Sequence, residues 1–177
     1  MKSTIYKLLL LFFTCTLSPL VSGQTIVSSF STGVGYSLDE EVLVRVGLQH
    51  YFDSAWWLSD TGALSAYLDV SYSHVFLSEA NDLTIYALSP VFYYEFHQSI
   101  YHAKPRIEFG IGASYINEKE IIYRNMGGHF QFEDRIGAGL KWEQVYLSLL
   151  YLHYSNGGIY SENAGYNTLQ LNLQIDL

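Results

Sequence analysis

Three polar residues near the end of the chain have the types and spacing needed for nucleophilic catalysis. His153 and Ser155 are two residues apart, and Asn167 follows the histidine by fourteen. Serine becomes a nucleophile when a base takes its proton, and histidine is such a base near neutral pH. An asparagine oxygen can hold the imidazole in the required tautomer. Gly157 and Gly158 allow backbone N–H groups to approach an oxyanion closely. The segment therefore predicts a nucleophile, its base and an orienting residue.

These side chains can act together only if the chain carries them to one side. Residues 144–155 predict a strand on which His153 and Ser155 share a face with Val145, Leu147, Leu149 and Tyr151. The opposite face of this strand is mixed. Asn167 has the parity of an aliphatic row that runs from Leu169 to Leu177. Two adjacent antiparallel strands would bring the three residues together at the end of an apolar surface. Uncharged polar residues are also common there as an ordinary interfacial fringe, so position alone leaves both interpretations open.

The same alternation of apolar and polar residues recurs along the chain, in segments of about ten residues or more. That length is what a tilted strand needs to cross a bilayer. The sequence predicts an all-β, eight-stranded antiparallel up-and-down transmembrane β-barrel. Its strands are expected at 26–36, 41–52, 63–76, 83–97, 105–117, 129–142, 144–155 and 167–177. Pro90 lies inside the fourth strand, where it indicates a bulge or kink.

Charged residues on the polar faces are expected to form ion pairs inside a small barrel, where side chains fill the lumen. They are Arg45, Asp69, Glu95, Arg106, Glu108, Glu133, Arg135 and Lys141.

The first 23 residues are predicted to be a secretory signal peptide, which leaves 24–177 as the barrel. Lys2 and Lys7 precede an uncharged run from Leu8 to Leu17, and small residues follow at 21–23. Removing the two lysines leaves 7 basic against 17 acidic residues, a net charge of −10, so no nucleic-acid partner is expected. The only cysteine, Cys15, lies in this segment, which excludes thiol and disulfide chemistry from the remainder.

Eight strands place both termini on the periplasmic side of a bacterial outer membrane. The tight turn at 142–144 is then periplasmic, and residues 117–128 and 156–166 are extracellular loops. His153 and Ser155 reach the extracellular end of their strand. The sequence thus predicts that the site faces lipid at the outer leaflet.

These motifs resemble those of the lipid A 3-O-deacylases, the PagL family. The resemblance lies in His153–Gly157, in Asn163–Asn167 with the alternating final strand, and in a Phe-Glu-Asp-Arg-Ile-Gly-Ala-Gly segment that begins at Phe132. It implies that the protein hydrolyses the ester-linked acyl chain at the 3 position of lipid A in lipopolysaccharide. Carried over, Ser155 is the nucleophile, His153 the general base and Asn167 the orienting residue. The resemblance also implies that Asn156 and the Gly157 backbone N–H are candidate donors to the oxyanion.

The third member of the triad departs from the family, which has a glutamate there. Strand parity favours Asn167, and Glu162, in the preceding loop, is the alternative. Outer-membrane phospholipase A also combines His-x-Ser with a later asparagine, but that family has twelve strands. A non-enzymatic anchor or adhesin is a further alternative, because fold does not dictate function. No metal or other cofactor is expected, since the remaining histidines show no metal-site spacing. The expected partners are lipid A and outer-membrane lipids.

Overall fold

The computed structural model describes residues 26–78, 81–121 and 124–177, and the predicted signal peptide lies outside them. Among the described residues no helix is long and apolar enough to span a membrane. The strands in this part of the chain are β1 (Ser29–Ser37), β2 (Val42–Tyr51), β3 (Trp57–Leu58), β4 (Gly62–Val75), β5 (Leu83–Phe96), β6 (Lys104–Ile116), β7 (Glu120–Ile121), β8 (Arg124–Asn125), β9 (Phe130–Trp142), β10 (Val145–Ser155) and β11 (Tyr166–Asp176).

Eight of these strands close into an antiparallel barrel. Around it, β1, β2, β4, β5, β6, β9, β10 and β11 each pair with the next, and β11 pairs with β1. The predicted eight-stranded barrel is confirmed, and the predicted strand boundaries differ from the observed ones by at most three residues. The sequence missed the short β3 beside β4, and the hairpin of β7 and β8 in the loop between β6 and β9. We call the end carrying the β1–β2, β4–β5, β6–β9 and β10–β11 connections the loop end, and the other the turn end.

The aliphatic rows lie on the outside of the barrel and the polar rows on the inside. On β11, Leu169 and Leu171 are 43% and 52% exposed, whereas the intervening Gln170 is 1% exposed. In a soluble protein the apolar row of a strand faces the core, and here it faces outward. The same holds for β2, where Val42, Val44 and Val46 are exposed. This arrangement suits a barrel whose outer surface meets hydrocarbon.

The middle of the lumen is filled by a network of buried charges, as the sequence predicted. Asp69 accepts hydrogen bonds from Arg45 and Arg135, the latter at 2.9 Å, and Arg135 is also 3.0 Å from Glu133. The hydroxyl of Tyr154 on β10 donates to Glu133 at 3.0 Å. Nearer the turn end, Arg106 pairs with Glu95 at 2.6 Å and Lys141 with Asp176 at 2.5 Å. Because the charges are compensated inside, the strands are held with a defined face outward.

An apolar cluster closes the lumen at the loop end. It is formed by Leu43, Val75, Leu77, Leu83, Ile85, Ile116, Ile121, Met126, Leu152, Tyr154 and Tyr166. Leu152 and Tyr154 explain why both faces of β10 looked apolar in the sequence: the inward face packs into this cluster, and the outward face belongs to the barrel surface. The parity of His153 and Ser155 is thereby fixed as outward.

Of the bulge or kink predicted at Pro90, the bulge is absent, and the strand is continuous there. Leu88 pairs with Ala113 and Val91 with Gly110, so the register is the same on either side of two unpaired positions. A bulge adds a residue to one strand and would shift the register. Since proline has no N–H, the ladder simply lacks pairs there.

Candidate active site

The structure brings His153, Ser155 and Asn167 to one patch on the outside of the barrel, at its loop end. His153 and Ser155 are the last two outward residues of β10, and Asn167 is the first outward residue of β11. His153 and Asn167 are directly opposite each other in the antiparallel ladder. All three side chains are half-buried, while their neighbours Leu152, Tyr154 and Thr168 are buried. The site thus continues the apolar surface of two adjacent strands.

Asn167 holds the imidazole through a short hydrogen bond. The Nδ1 atom of His153 lies 2.6 Å from Oδ1 of Asn167, and the Tyr151 hydroxyl donates to the same oxygen at 2.8 Å. A carbonyl oxygen only accepts, so this contact requires the proton of a neutral imidazole to be on Nδ1. The Nε2 atom then carries a lone pair, which is the form a general base needs.

Ser155 lies one step further along the same outward row. Among the described residues, no hydrogen bond joins the Ser155 hydroxyl to the His153 imidazole. Such contacts often form only when substrate is bound. Across the ladder on β9, Phe132 pairs with Ser155 and Asp134 with His153. As a directly paired residue, Asp134 projects from the same side of the sheet as His153.

Asn156 is buried and ties the loop after β10 together. Its Nδ2 donates to the carbonyl oxygens of Met126 at 2.8 Å and Glu162 at 2.6 Å, and its Oδ1 accepts from the Gly158 N–H at 2.9 Å. Its backbone N–H donates to Oδ1 of Asn163. All the N–H groups of Asn156 are therefore engaged. For the neighbouring Gly157 N–H, the described residues offer no acceptor.

Glu162, the alternative third member, is exposed in the loop between β10 and β11. Within the described parts of the chain, its carboxylate forms neither a hydrogen bond nor an ion pair with His153, and its backbone oxygen is what binds Asn156. The structure therefore brings Asn167, and not Glu162, to the imidazole.

Two residues of the site were missed in the sequence. Tyr151 has the parity of His153, and that spacing was the available signal. Gly165 has a φ of +69°, and a Cβ at this position would lie 3.1 Å from Cε1 of His153. Glycine is favoured there both by the left-handed backbone conformation and by the close approach of the ring. Nothing in the local pattern around Gly165 predicts that approach, because it depends on how the loop returns to the barrel.

The described residues contain no group of three or more histidine, cysteine, aspartate or glutamate side chains that could hold a metal ion. The chemistry available at the patch is that of a hydroxyl, an imidazole and an amide oxygen.

Comparison with known proteins identifies the family of the chain. The family model described as "Lipid A 3-O-deacylase (PagL)" matches residues 40–176. The chain belongs to the lipid A 3-O-deacylase (PagL) family. It is 32% identical over 173 residues to the lipid A deacylase PagL of Pseudomonas aeruginosa, covering 97% of this chain and 99% of that protein. It is 39% identical over 66 residues, 37% of each chain, to the PagL of Bordetella bronchiseptica.

The fold comparison leads to the same PagL family. A crystal structure described as the outer membrane enzyme PagL superimposes with a TM-score of 0.79 and 33% sequence identity, over 85% of this chain and all of the other. The protein is therefore an outer-membrane barrel in a family of hydrolases. This membership sets aside the alternative of a non-enzymatic anchor or adhesin.

Proposed function

We propose that this protein hydrolyses the ester bond of the acyl chain at the 3 position of lipid A, using Ser155 as nucleophile, His153 as general base and Asn167 as the orienting residue. The observation that supports the proposal best is the 2.6 Å contact between Nδ1 of His153 and Oδ1 of Asn167 on the outward face of the barrel. Among the described residues, it leaves Nε2 of His153 without a hydrogen-bond partner. The family membership supplies the substrate class.

The reaction follows from the roles of these three side chains. Rotation of the Ser155 side chain brings its hydroxyl to Nε2 of His153, which takes the proton as Oγ bonds to the ester carbonyl carbon. The Gly157 N–H is the proposed donor to the oxyanion, since the N–H groups of Asn156 are engaged. The carbon–oxygen bond to the sugar then breaks, and the imidazolium returns the proton to the departing sugar oxygen. Water repeats the two steps on the acyl-serine and releases the fatty acid.

The surroundings of the site fit a substrate that stays in the membrane. Below His153, the outward row of β10 continues through Tyr151, Leu149 and Leu147, and β11 continues through Leu169 and Leu171. An acyl chain can lie along this apolar surface while its ester reaches the hydroxyl of Ser155. In bacterial barrels the longer connections are extracellular and the turns periplasmic. The loop between β10 and β11 spans 156–165, against only 143–144 between β9 and β10. The site is thus proposed to face the outer leaflet.

The proposal is tested by mass spectrometry of lipid A from cells that produce the wild type or Ser155→Ala. The wild type is expected to remove one 3-hydroxyacyl chain, and the variant to leave lipid A intact. Ser148→Ala is the matched control, because Ser148 lies on the same strand but is buried in the lumen. Its product is expected to equal that of the wild type. Folding of each barrel is checked by comparing the electrophoretic mobility of unheated and heated samples in detergent, because a folded barrel resists unfolding by detergent until it is heated.

Analysis of phospholipids from the same cells distinguishes the other esterase. Release of lysophospholipid that depends on Ser155, with lipid A unchanged, would replace the proposal by a phospholipase A activity. Intact lipid A and intact phospholipids in the presence of a folded wild-type barrel would refute the catalytic role of Ser155.

A further inference from the structure

Arg124, the first residue of β8, connects two other segments of the loop end. Its Nε and Nη2 atoms donate to the two carboxylate oxygens of Asp39 at 2.8 and 2.6 Å, and its Nη1 donates to the carbonyl oxygen of Gly165 at 3.2 Å. Hydrogen bonding to Asp39 raises the pKa of the Arg124 guanidinium, which stays charged. A two-pronged arginine–carboxylate contact fixes direction as well as distance. The hairpin is thereby fastened to the β1–β2 turn and to the start of β11.

Both segments that Arg124 holds touch the proposed triad. Gly165 lies against the imidazole of His153, as its tight approach to Cε1 shows. Asp39 belongs to the β1–β2 turn, in which the Leu38 N–H donates to the backbone oxygen of Asn167 at 3.0 Å. Arg124 therefore spans from the residue beside His153 to the turn that is bonded to Asn167.

Arg124 acts where the ladder between β11 and β1 ends. The last pair of β11 with β1 is Thr168 with Ser37, whereas the ladder with β10 continues to the pair of Tyr166 with Tyr154. On the β1 side, the backbone of Asn167 is therefore held by its hydrogen bond from the Leu38 N–H in the turn that Arg124 holds. A displacement of about 1 Å in a positioning group can cost a rate factor of about 10².

We propose that Arg124 and Asp39 are a positioning pair that holds Gly165 and Asn167 against His153. The inference rests on the proposed function, since it concerns the same triad. Arg124 acts through the backbone of β11 and makes no contact with His153, Ser155 or Asn167 side chains among the described residues.

An alternative role for Arg124 at the loop end would be to bind a phosphate group of the substrate. The surroundings of Arg124 favour the positioning role. Two of its donor atoms are already taken by Asp39, and Glu40 and Glu41 follow directly in the same turn. An incoming phosphate would have to displace a carboxylate and approach two more acidic residues.

The test compares Arg124→Gln, Asp39→Asn and the double variant in purified, folded barrel with lipid A in detergent micelles. Each single variant is expected to lower kcat by about 10- to 100-fold with KM within about twofold, because orientation is lost and substrate contact is not. The double variant is expected to be no slower than the slower single one, since one interaction is removed twice. Arg124→Lys should recover part of kcat, because a lysine can meet Asp39 but lacks the fork. Lys119→Gln, an exposed cation of the same connection, is the control and should match the wild type.

A different pattern would overturn the pair. If Arg124→Gln raises KM with kcat unchanged while Asp39→Asn has no effect, the guanidinium binds substrate. If the effects of the two single variants add up in the double variant, the residues act separately.

The rate at which a fluorophosphonate labels Ser155 separates this inference from the proposed function. The label needs the triad but not lipid A. A wild type that is labelled yet leaves lipid A intact would refute the substrate, and slower labelling of Arg124→Gln and Asp39→Asn would still support the pair. Equal labelling of all variants would reject the pair, and a wild type that is not labelled would reject both proposals.

Discussion

Two outward-facing histidines lie at the loop end of the barrel, one on β4 and one on β10, and their surroundings differ in a way that matters for catalysis. His74 follows Tyr72 by two residues, just as His153 follows Tyr151. Each imidazole also has an oxygen ligand from a neighbouring segment, Asp82 for His74 at 3.1 Å and Asn167 for His153 at 2.6 Å. An arrangement of a tyrosine, a histidine and a side-chain oxygen therefore occurs at two places on the barrel.

The two imidazoles differ in which nitrogen is engaged. In the β4 cluster, Nδ1 of His74 contacts the Tyr72 hydroxyl at 3.3 Å, and Nε2 contacts Asp82, so both nitrogens have partners. The next outward residue is Phe76, whose ring packs edge-on at 4.6 Å between centroids. In the β10 cluster the tyrosine binds the asparagine instead of the imidazole.

Two features distinguish the β10 cluster: within the described part of the chain, Nε2 of its histidine has no hydrogen-bond partner, and a serine follows on the same outward row. Among the described residues nothing is hydrogen-bonded to Nε2 of His153, and the next outward residue is Ser155. Under the proposed function, a histidine with an oxygen partner acts as a general base only where that partner takes Nδ1 and a hydroxyl follows on the same outward row.

The largest difference between the two clusters is expected on removing each imidazole. His153→Gln should lower kcat/KM for lipid A deacylation by about 10²–10⁴-fold, because the proton of Ser155 then has no acceptor. His74→Gln should leave kcat/KM within about twofold of the wild type. The measurement is the rate of fatty-acid release by folded, purified barrels. An equal loss of kcat/KM in the two variants would mean that an Nε2 atom without a partner does not account for the catalytic role of His153.

Removing each oxygen ligand should have a smaller effect, and again on one side only. Asn167→Ala is expected to lower kcat by about 10²-fold, since the imidazole loses its orientation but not its basicity. Asn167→Asp keeps an oxygen acceptor and should retain most of the activity. Asp82→Asn should leave kcat unchanged. Steady-state rates of the three variants test this order.

Glu162→Gln belongs to the same experiment and decides the third member of the triad. It should leave kcat unchanged, because the carboxylate lies in the loop and away from the imidazole. A loss in Glu162→Gln as large as that in Asn167→Ala would transfer the orienting role to the loop.

Much of this comparison could be predicted from the sequence, because strand parity is a local property. The row from Leu169 to Leu177 set the outward face of β11, and Asn167 fell on it by spacing alone. On β10 parity left two faces open, since Leu152 and Tyr154 are apolar for a reason that only the closed barrel shows: they fill the lumen.

The loops could not be predicted in the same way. Residues 117–128 were expected to be a loop, yet β7 and β8 form a hairpin there that carries Arg124 across to Asp39. That contact joins residues 85 positions apart in the chain. No periodicity encodes it. The engagement of the Asn156 amide by Met126 and Glu162 has the same long-range origin.

The smallest expected difference is between the two tyrosines. Tyr151→Phe removes one of the two hydrogen bonds to Oδ1 of Asn167, and a hydrogen bond of this kind contributes about 1 kcal/mol, so kcat should fall by about fivefold. Tyr72→Phe removes a contact to His74, which lies outside the proposed triad, and kcat should stay the same. If Tyr151→Phe is fully active, the contact between Asn167 and His153 is sufficient to orient the imidazole. The tyrosine would then serve only as part of the lipid-facing row. If both variants lose activity, the β4 cluster takes part in substrate binding, and the two regions are less different than their nitrogen contacts indicate.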